Sequence, residues 1–353
     1  MYFCQVKIFA IMKRITLLLF SLILLLFSHA SFAQKDKGIA IVGFYNLENL
    51  FDTENDPLTN DEQFLPEGSY RWTPERYQKK LHNMSRVLAD IGIEYGGLVA
   101  VGVSEIVNER VLRDLISTDN LRDRNWGIVH YDSPDRRGVD VGLLYDKSRI
   151  KVFYSHAFRL YTPDTNFRTR DQLLVQAVLD DIDTISFIVN HWPSKLGGAK
   201  SVVSREAAAK LTRSIVDTIV NKNPKAKVVI MGDFNDEPNS KSILKHLNTK
   251  KKISQTNPKD IYNPMYAMYR SGIGSYAYRD NWSLIDQIMV TYGLLKPAPN
   301  SYKFISAHVY RNPMIMLKTQ TGSFEDYPFR TFAGGVYQGG YSDHFPVYII
   351  LKR

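Results

Sequence analysis

The stretch GGYSDHFPV, Gly339 to Val347, sets an acid and an imidazole, Asp343 and His344, directly in front of an apolar run, FPVYIILK. Neither group is tolerated unpaired inside a core, so the pair belongs at a strand end. Reading outward, the same arrangement recurs. The runs IAIVGFYN from Ile39, GLVAVGV from Gly97, VDVGLLYD from Val139, TISFIVNHW from Thr184, KVVIMGDFN from Lys227 and SLIDQIMVT from Ser283 have the length and Val/Ile content of strands buried on at least one face. Helical patterns lie between some of them. Thr73-Pro74-Glu75 offers an N-cap, a proline at the first helical position and a first-turn acid, followed by Tyr77, Leu81, Met84, Leu88 and Ile91 at helical spacing. A second helix is predicted over Asn108 to Ile116, and a third from about Ser204 to Val220 with Ala208, Leu211, Ile215 and Ile219 on one face. Strands outnumber helices, which predicts an α/β fold of two packed sheets with helices outside.

The first residues stand apart. Lys13-Arg14 precede the apolar run ITLLLFSLILLLF, Ile15 to Phe27, and SHASFA ends at Ala33, the layout of a secretory signal peptide. Residues 1–33 are therefore expected to be removed, with 1–11 an upstream extension before Met12, leaving one domain over 34–353. The 13-residue run is short for a membrane span, so no stable anchor is expected after cleavage and the product is expected in the periplasm or outside the cell. The single cysteine, Cys4, lies in the removed part, which excludes disulfides and thiolate metal sites from the remainder. Losing Lys7, Lys13 and Arg14 and no acids lowers the formal charge from +9 to +6, a mild attraction for polyanions. No repeat or Pro/Ser-rich linker divides the chain, and nothing in it points to a protein partner.

Polar residues of catalytic type punctuate the strand runs: Asn46 and Glu48, Glu105, His191, Asp233 and Asn235, Asp286, and Asp343-His344. Each has a plain structural alternative. Asn46 suits a turn, Glu105 a helix cap, Asp233 to Asp236 an acidic turn before Pro238, and each histidine a satisfied core position. Asp286, inside SLIDQIMV, is harder to place without a partner. Together they form an inventory of carboxylates, amides and imidazoles without thiolates. Such a set suits a hard cation, Mg²⁺ or Mn²⁺ with Ca²⁺ also compatible, and the hydrolysis of phosphoesters. The chain has no GxSxG elbow, no Walker loop and no HExxH, so serine-hydrolase, P-loop and zincin chemistry lose their support and no nucleotide cofactor is expected.

FYNLEN, VGVSEIVN, NHWPS, MGDFNDEP, LIDQIMV and YSDHFPV occur in the order found in the endonuclease/exonuclease/phosphatase family, which this chain resembles from about Ile39 to Leu351. The resemblance implies a four-layered α/β/β/α sandwich, DNase I-like, with its active site at one rim. It implies Glu105 as principal metal ligand, with Asn46, Glu48 and Asp343 near the cation. Asp233 would activate water, Asn235 would hold the phosphate or that water, and His344 would pair with Asp286. His191 would supply a second phosphate contact or proton, supported by Asp132 or Asp140. Asn190 and Arg205 are candidate substrate contacts. Related exported bacterial sequences read Glu-Val-Glu-Asn where this chain has Glu105-Ile106-Val107-Asn108, so a second acid is missing there.

The expected function is an exported Mg²⁺-dependent phosphodiesterase, a nuclease on DNA or RNA. A phosphomonoesterase or sphingomyelinase-like lipid hydrolase is the first alternative, and a non-catalytic binder of phosphate ligands the second. The aromatic segment from Tyr262 to Trp282 offers base stacking, a lipid-facing surface or plain packing.

Overall fold

The computed structural model describes residues 38–162, 164, 166–318 and 326–353. The expected signal peptide, 1–33 with its extension 1–11, lies outside the described residues. In chain order the strands are β1 (Ile39–Leu50), β2 (Leu98–Ile106), β3 (Trp126–His130), β4 (Asp140–Asp146), β5 (Ile150–Phe158), β6 (Gln172–Leu179), β7 (Asp183–His191) and β8 (Lys227–Asp233). Then come β9 (Thr249–Lys250), β10 (Ile261–Tyr262), β11 (Tyr276–Tyr278), β12 (Asn281–Ser283), β13 (Asp286–Thr291), β14 (Lys303–Val309), β15 (Phe332–Ala333), β16 (Val336–Tyr337) and β17 (Val347–Lys352). Three helices matter for the layers: α1 (Pro74–Asp90), α2 (Glu109–Ile116) and α3 (Gly198–Val220).

One sheet runs β14-β17-β1-β2-β4-β3 and the other β5-β6-β7-β8-β13-β10-β9. Alternation along the central strands explains the four layers. In β1, Ala40, Val42 and Phe44 face the other sheet while Ile41 and Tyr45 pack under α1 and α2. In β8, Val229 and Met231 face inward while Val228 and Ile230 meet α3. Both faces are covered, which is why these strands read as unbroken apolar runs. The sheets approach closely at Gly102, where a Cβ would stand 2.7 Å from the Met231 sulfur.

The parallel pairs β1/β2 and β7/β8 need crossovers, and α1 and α3 supply them on opposite outer faces. Thr73 caps α1 and Asn108 caps α2, the latter accepting from Val111 N at 3.0 Å. The third helix differs from its expected span. It starts at Gly198, and its buried face carries Arg205, Ala208, Thr212, Ile215 and Val216, leaving Leu211 and Ile219 half-buried. Polar Arg205 and Thr212 broke the apolar pattern that placed the face. Strands β3, β5, β6 and β14 were not expected; β5 is an edge strand with exposed Phe153 and Tyr154, so it lacks a buried-strand signature.

Candidate active site

The ends of six strands meet at one rim. In the register, Asp286 at the start of β13 sits opposite Asp233 at the end of β8, and His191 at the end of β7 flanks Asp233 on its other side. From the other sheet come Asn46, Glu48 and Glu105, with Asp343-His344 just ahead of β17. Local backbone conformation aims them. Glu48, Asn49, Glu105 and Asn235 have φ of 47°, 54°, 59° and 49°, a left-handed region that non-glycine residues enter at a cost. Bulges at Asn46/Leu50 in β1 and Ser104/Ile106 in β2 accompany this and turn side chains that would alternate into the sheet toward the rim.

Asp233, 2 % exposed, is the hub. Its Oδ1 accepts from Asn235 N at 2.9 Å and its Oδ2 from Asn46 Nδ2 at 3.2 Å. Burial raises its pKa to about 7; Asp286 and Glu105 add to the rise, and His344 opposes it. His344 lies with Nδ1 2.7 Å from Asp286 Oδ2, and the same oxygen accepts from Ser275 Oγ at 2.6 Å. Burial alone would lower the His344 pKa, but Asp286 and Asp343 outweigh it and hold the imidazole well above its usual value. His191 is driven the other way, first by burial and then by Arg170, Arg137 and His344. Its Nε2 is 3.5 Å from Asp233 and 3.8 Å from Glu105, and its Nδ1 has no hydrogen-bond partner. Asp132 and Asp140 do not support it; they stand by His130, whose Nε2 is 3.1 Å from Asp140.

Glu105 Oε2 accepts from Asn49 N at 3.0 Å, and Asp343 is partly exposed beside His344. Glu48 is differently employed: its carboxylate accepts from Thr331 N at 2.6 Å and Phe332 N at 3.2 Å, with Lys80 Nζ at 3.9 Å. Burial and Asp343 raise its pKa to about 7. It anchors a loop as much as it faces the rim. Asn190 is fully buried, its amide bound to Met231 O at 3.2 Å and to Thr212 Oγ1 at 3.0 Å, so it belongs to the scaffold and not to a substrate surface. Arg205, 4 % exposed, clamps Asp236 at 3.0 Å and the Pro193-Ser194 carbonyls, and it too has no face toward substrate. Both were read from sequence position, which carries no burial. Val107, where an acid is missing, packs in the core under the helices, and Asn108 spends its amide on Asp52 at 2.7 Å.

Three residues at the rim were not anticipated. The Tyr276 ring tilts on His344 with centroids 4.9 Å apart, and burial followed by Asp343 raises its pKa to about 12. Arg137 donates to Asn49 Oδ1 at 3.3 Å, and buried Arg170 reaches Trp192 O at 2.8 Å. None lies in a motif; Tyr276 was hidden in the aromatic segment.

The rim suits a cation. Glu48, Glu105, Asp233, Asp286 and Asp343 gather there with Lys80 and His344 as the positive groups closest to them, and Asp286 Oδ1 is buried without a partner. Ligand atoms of Asp233, Asp286 and His344 lie within 4.8 Å of one another. His344 and Asp286 are already bound to each other, which favours the oxygens of Glu105, Asp343 and Asn46 for the ion.

A family model described as Endonuclease/Exonuclease/phosphatase family matches residues 41–353. No curated protein matches the chain. Among solved structures, zebrafish TDP2 complexed with single-strand DNA product is 14% identical with a TM-score of 0.54, covering 89% of this chain and 99% of its own. The Bacteroides thetaiotaomicron mannosyl-6-phosphatase is 14% identical with a TM-score of 0.54, covering 89% and 100%. The human Nocturnin catalytic domain with bound sulfate is 15% identical with a TM-score of 0.52, covering 89% and 94%. At such identities the likeness carries the DNase I-like fold alone. The matched span and the assembled rim together place this chain in the endonuclease/exonuclease/phosphatase family of metal-dependent enzymes, and it is a phosphoric ester hydrolase.

Proposed function

We propose that the protein is an exported, Mg²⁺-dependent phosphodiesterase that cleaves nucleic acid. The observation that supports this best is the Asp233, Asp286, His344 cluster, in which opposing environments separate the roles of acid and base. A divalent cation held by Glu105, with Asp343 and Asn46, would supply positive charge to the phosphoryl oxygens. Asp233, with its pKa near neutrality, takes the proton of the attacking water as the water oxygen bonds to phosphorus, while the bond from phosphorus to the leaving oxygen breaks and that oxygen takes a proton from solvent. Asn46 and Asn235 fix that carboxylate through the 3.2 and 2.9 Å hydrogen bonds. His344, kept cationic on Asp286, faces the developing charge. His191, pressed toward its neutral form, offers a hydrogen bond without adding charge. Polynucleotide is favoured over a small monoester by the basic excess of the chain and by the guanidinium of Arg137 near the rim. The zebrafish TDP2 complexed with single-strand DNA product is in keeping with this.

The test is hydrolysis of plasmid DNA, RNA, bis-p-nitrophenyl phosphate, p-nitrophenyl phosphate and sphingomyelin, each with Mg²⁺, Mn²⁺ and EDTA. EDTA-sensitive cleavage of nucleic acid is expected, with Asp233→Ala and His344→Ala each slower by about 10²–10⁴-fold or more. Turnover confined to the monoester, as for a sugar phosphatase, or to the lipid overturns the substrate assignment. Export rests on the 12–33 segment; protein from the exported fraction should begin near Gln34.

A further inference from the structure

A cleft of about 340 Å³ opens beside the rim, between the β11/β12 hairpin and the segment from Tyr327 to Gln338. Tyr278, Arg279, Tyr327, Phe329 and Arg330 line it. Its connection to the site is direct. Tyr276, two residues along the same strand face from Tyr278, carries its ring on His344. Arg330 Nη2 donates to Ala277 O at 3.3 Å, and its charge reaches both the Tyr276 and Tyr327 hydroxyls. The far wall is fixed to the rim through the Thr331 and Phe332 amides on Glu48.

The hairpin tip is unusual. Its two-residue turn is Arg279-Asp280 with φ of 48° and 60°, the conformation of a type I′ turn that Asn-Gly adopts without strain. The strained pair is held in place: Asp280 accepts from the Tyr327 hydroxyl at 2.7 Å, and the Arg279 guanidinium sits 5.2 Å from the centre of the Tyr278 ring. Tyr278 is 55% exposed even so, leaving a π-face open beside two guanidinium groups.

We propose that this cleft is a nucleobase subsite, seating a base of the substrate strand against Tyr278 while its phosphate lies at the catalytic rim; this rests on the nuclease reading above. Aromatic rings and guanidinium planes are what unstacked bases pack on. The same two guanidiniums repel a quaternary ammonium headgroup, so a choline lipid is a poor occupant.

The experiment is equilibrium binding to the purified protein, comparing thymidine 5′-monophosphate, 2-deoxyribose 5-phosphate and inorganic phosphate. The nucleotide should bind about 5- to 100-fold tighter than the base-free sugar phosphate, the scale of one stacked base. Tyr278→Ala should abolish that difference, Tyr278→Phe should keep it, and inorganic phosphate should bind all three proteins alike. Equal affinity for nucleotide and sugar phosphate in the wild type overturns the proposal, as does equal weakening of both ligands by Tyr278→Ala. A base preference without any nucleic-acid cleavage would sink the nuclease reading and leave the subsite standing, whereas cleavage with no base preference would do the reverse.

Discussion

At Asp286 a single carboxylate oxygen serves two donors, 2.6 Å from Ser275 Oγ and 2.7 Å from His344 Nδ1. Replacing it with Asn keeps the shape and removes the charge that favours the imidazolium. Asp286→Asn should therefore lower kcat by about 10²-fold or more with KM little changed, measured under saturating substrate. Lys80 poses the opposite case. Its ammonium, 1% exposed, donates to Thr331 Oγ1 at 2.5 Å and to Tyr341 O, and stands near Glu48. Lys80→Met leaves Glu48 buried beside Asp343, and urea unfolding should report a loss of about 3 kcal/mol, the low end for a broken buried pair because two amides still hold the carboxylate.

Elements show how the motifs earn their spacing. Gly232 precedes Asp233 because β7 and β8 run so close that a Cβ there would stand 2.3 Å from the Asn190 carbonyl oxygen. Gly232→Ala must push the strands apart just where Asp233 and His191 meet. It should cost about 1–3 kcal/mol in denaturant unfolding and lower activity more than that loss of folded protein explains. Most central strands were legible because both faces are buried, β6 excepted, where Gln172 and Gln176 interrupt the apolar run, and the helix caps because Thr73-Pro74 and Asn108 carry local chemistry. The acids and histidines at the strand ends were legible for the same reason, as polar groups that an apolar run does not explain. Arg205 and Asn190 misled: a polar residue near a motif reads alike whether it faces a ligand or a carbonyl, and only packing separates the two. Tyr276 was lost because aromatic residues are ordinary core, and its place on His344 depends on a bridge between segments far apart in sequence.

Across the whole molecule, the rim concentrates five carboxylates contributed by both sheets, so a bound cation would offset their mutual repulsion. Mg²⁺ should raise the midpoint of thermal unfolding and EDTA should reverse it; a ligand at 100 times its Kd adds about 2.7 kcal/mol. Glu105→Gln should blunt the rise while leaving the metal-free midpoint no lower. The Gln protein showing the full Mg²⁺ shift would move the ion elsewhere in the cluster. The order of the first sheet carries a further consequence. Strand β17 lies between β14 and β1, so a late segment of the chain occupies an interior place beside the earliest strand, and His344 arrives with it. A chain that stops before His344 lacks both the interior strand and the imidazole that Asp286 holds at the rim. The rim is thus assembled only once the last strand has taken its interior place, which ties the chemistry of the site to the closing of the first sheet.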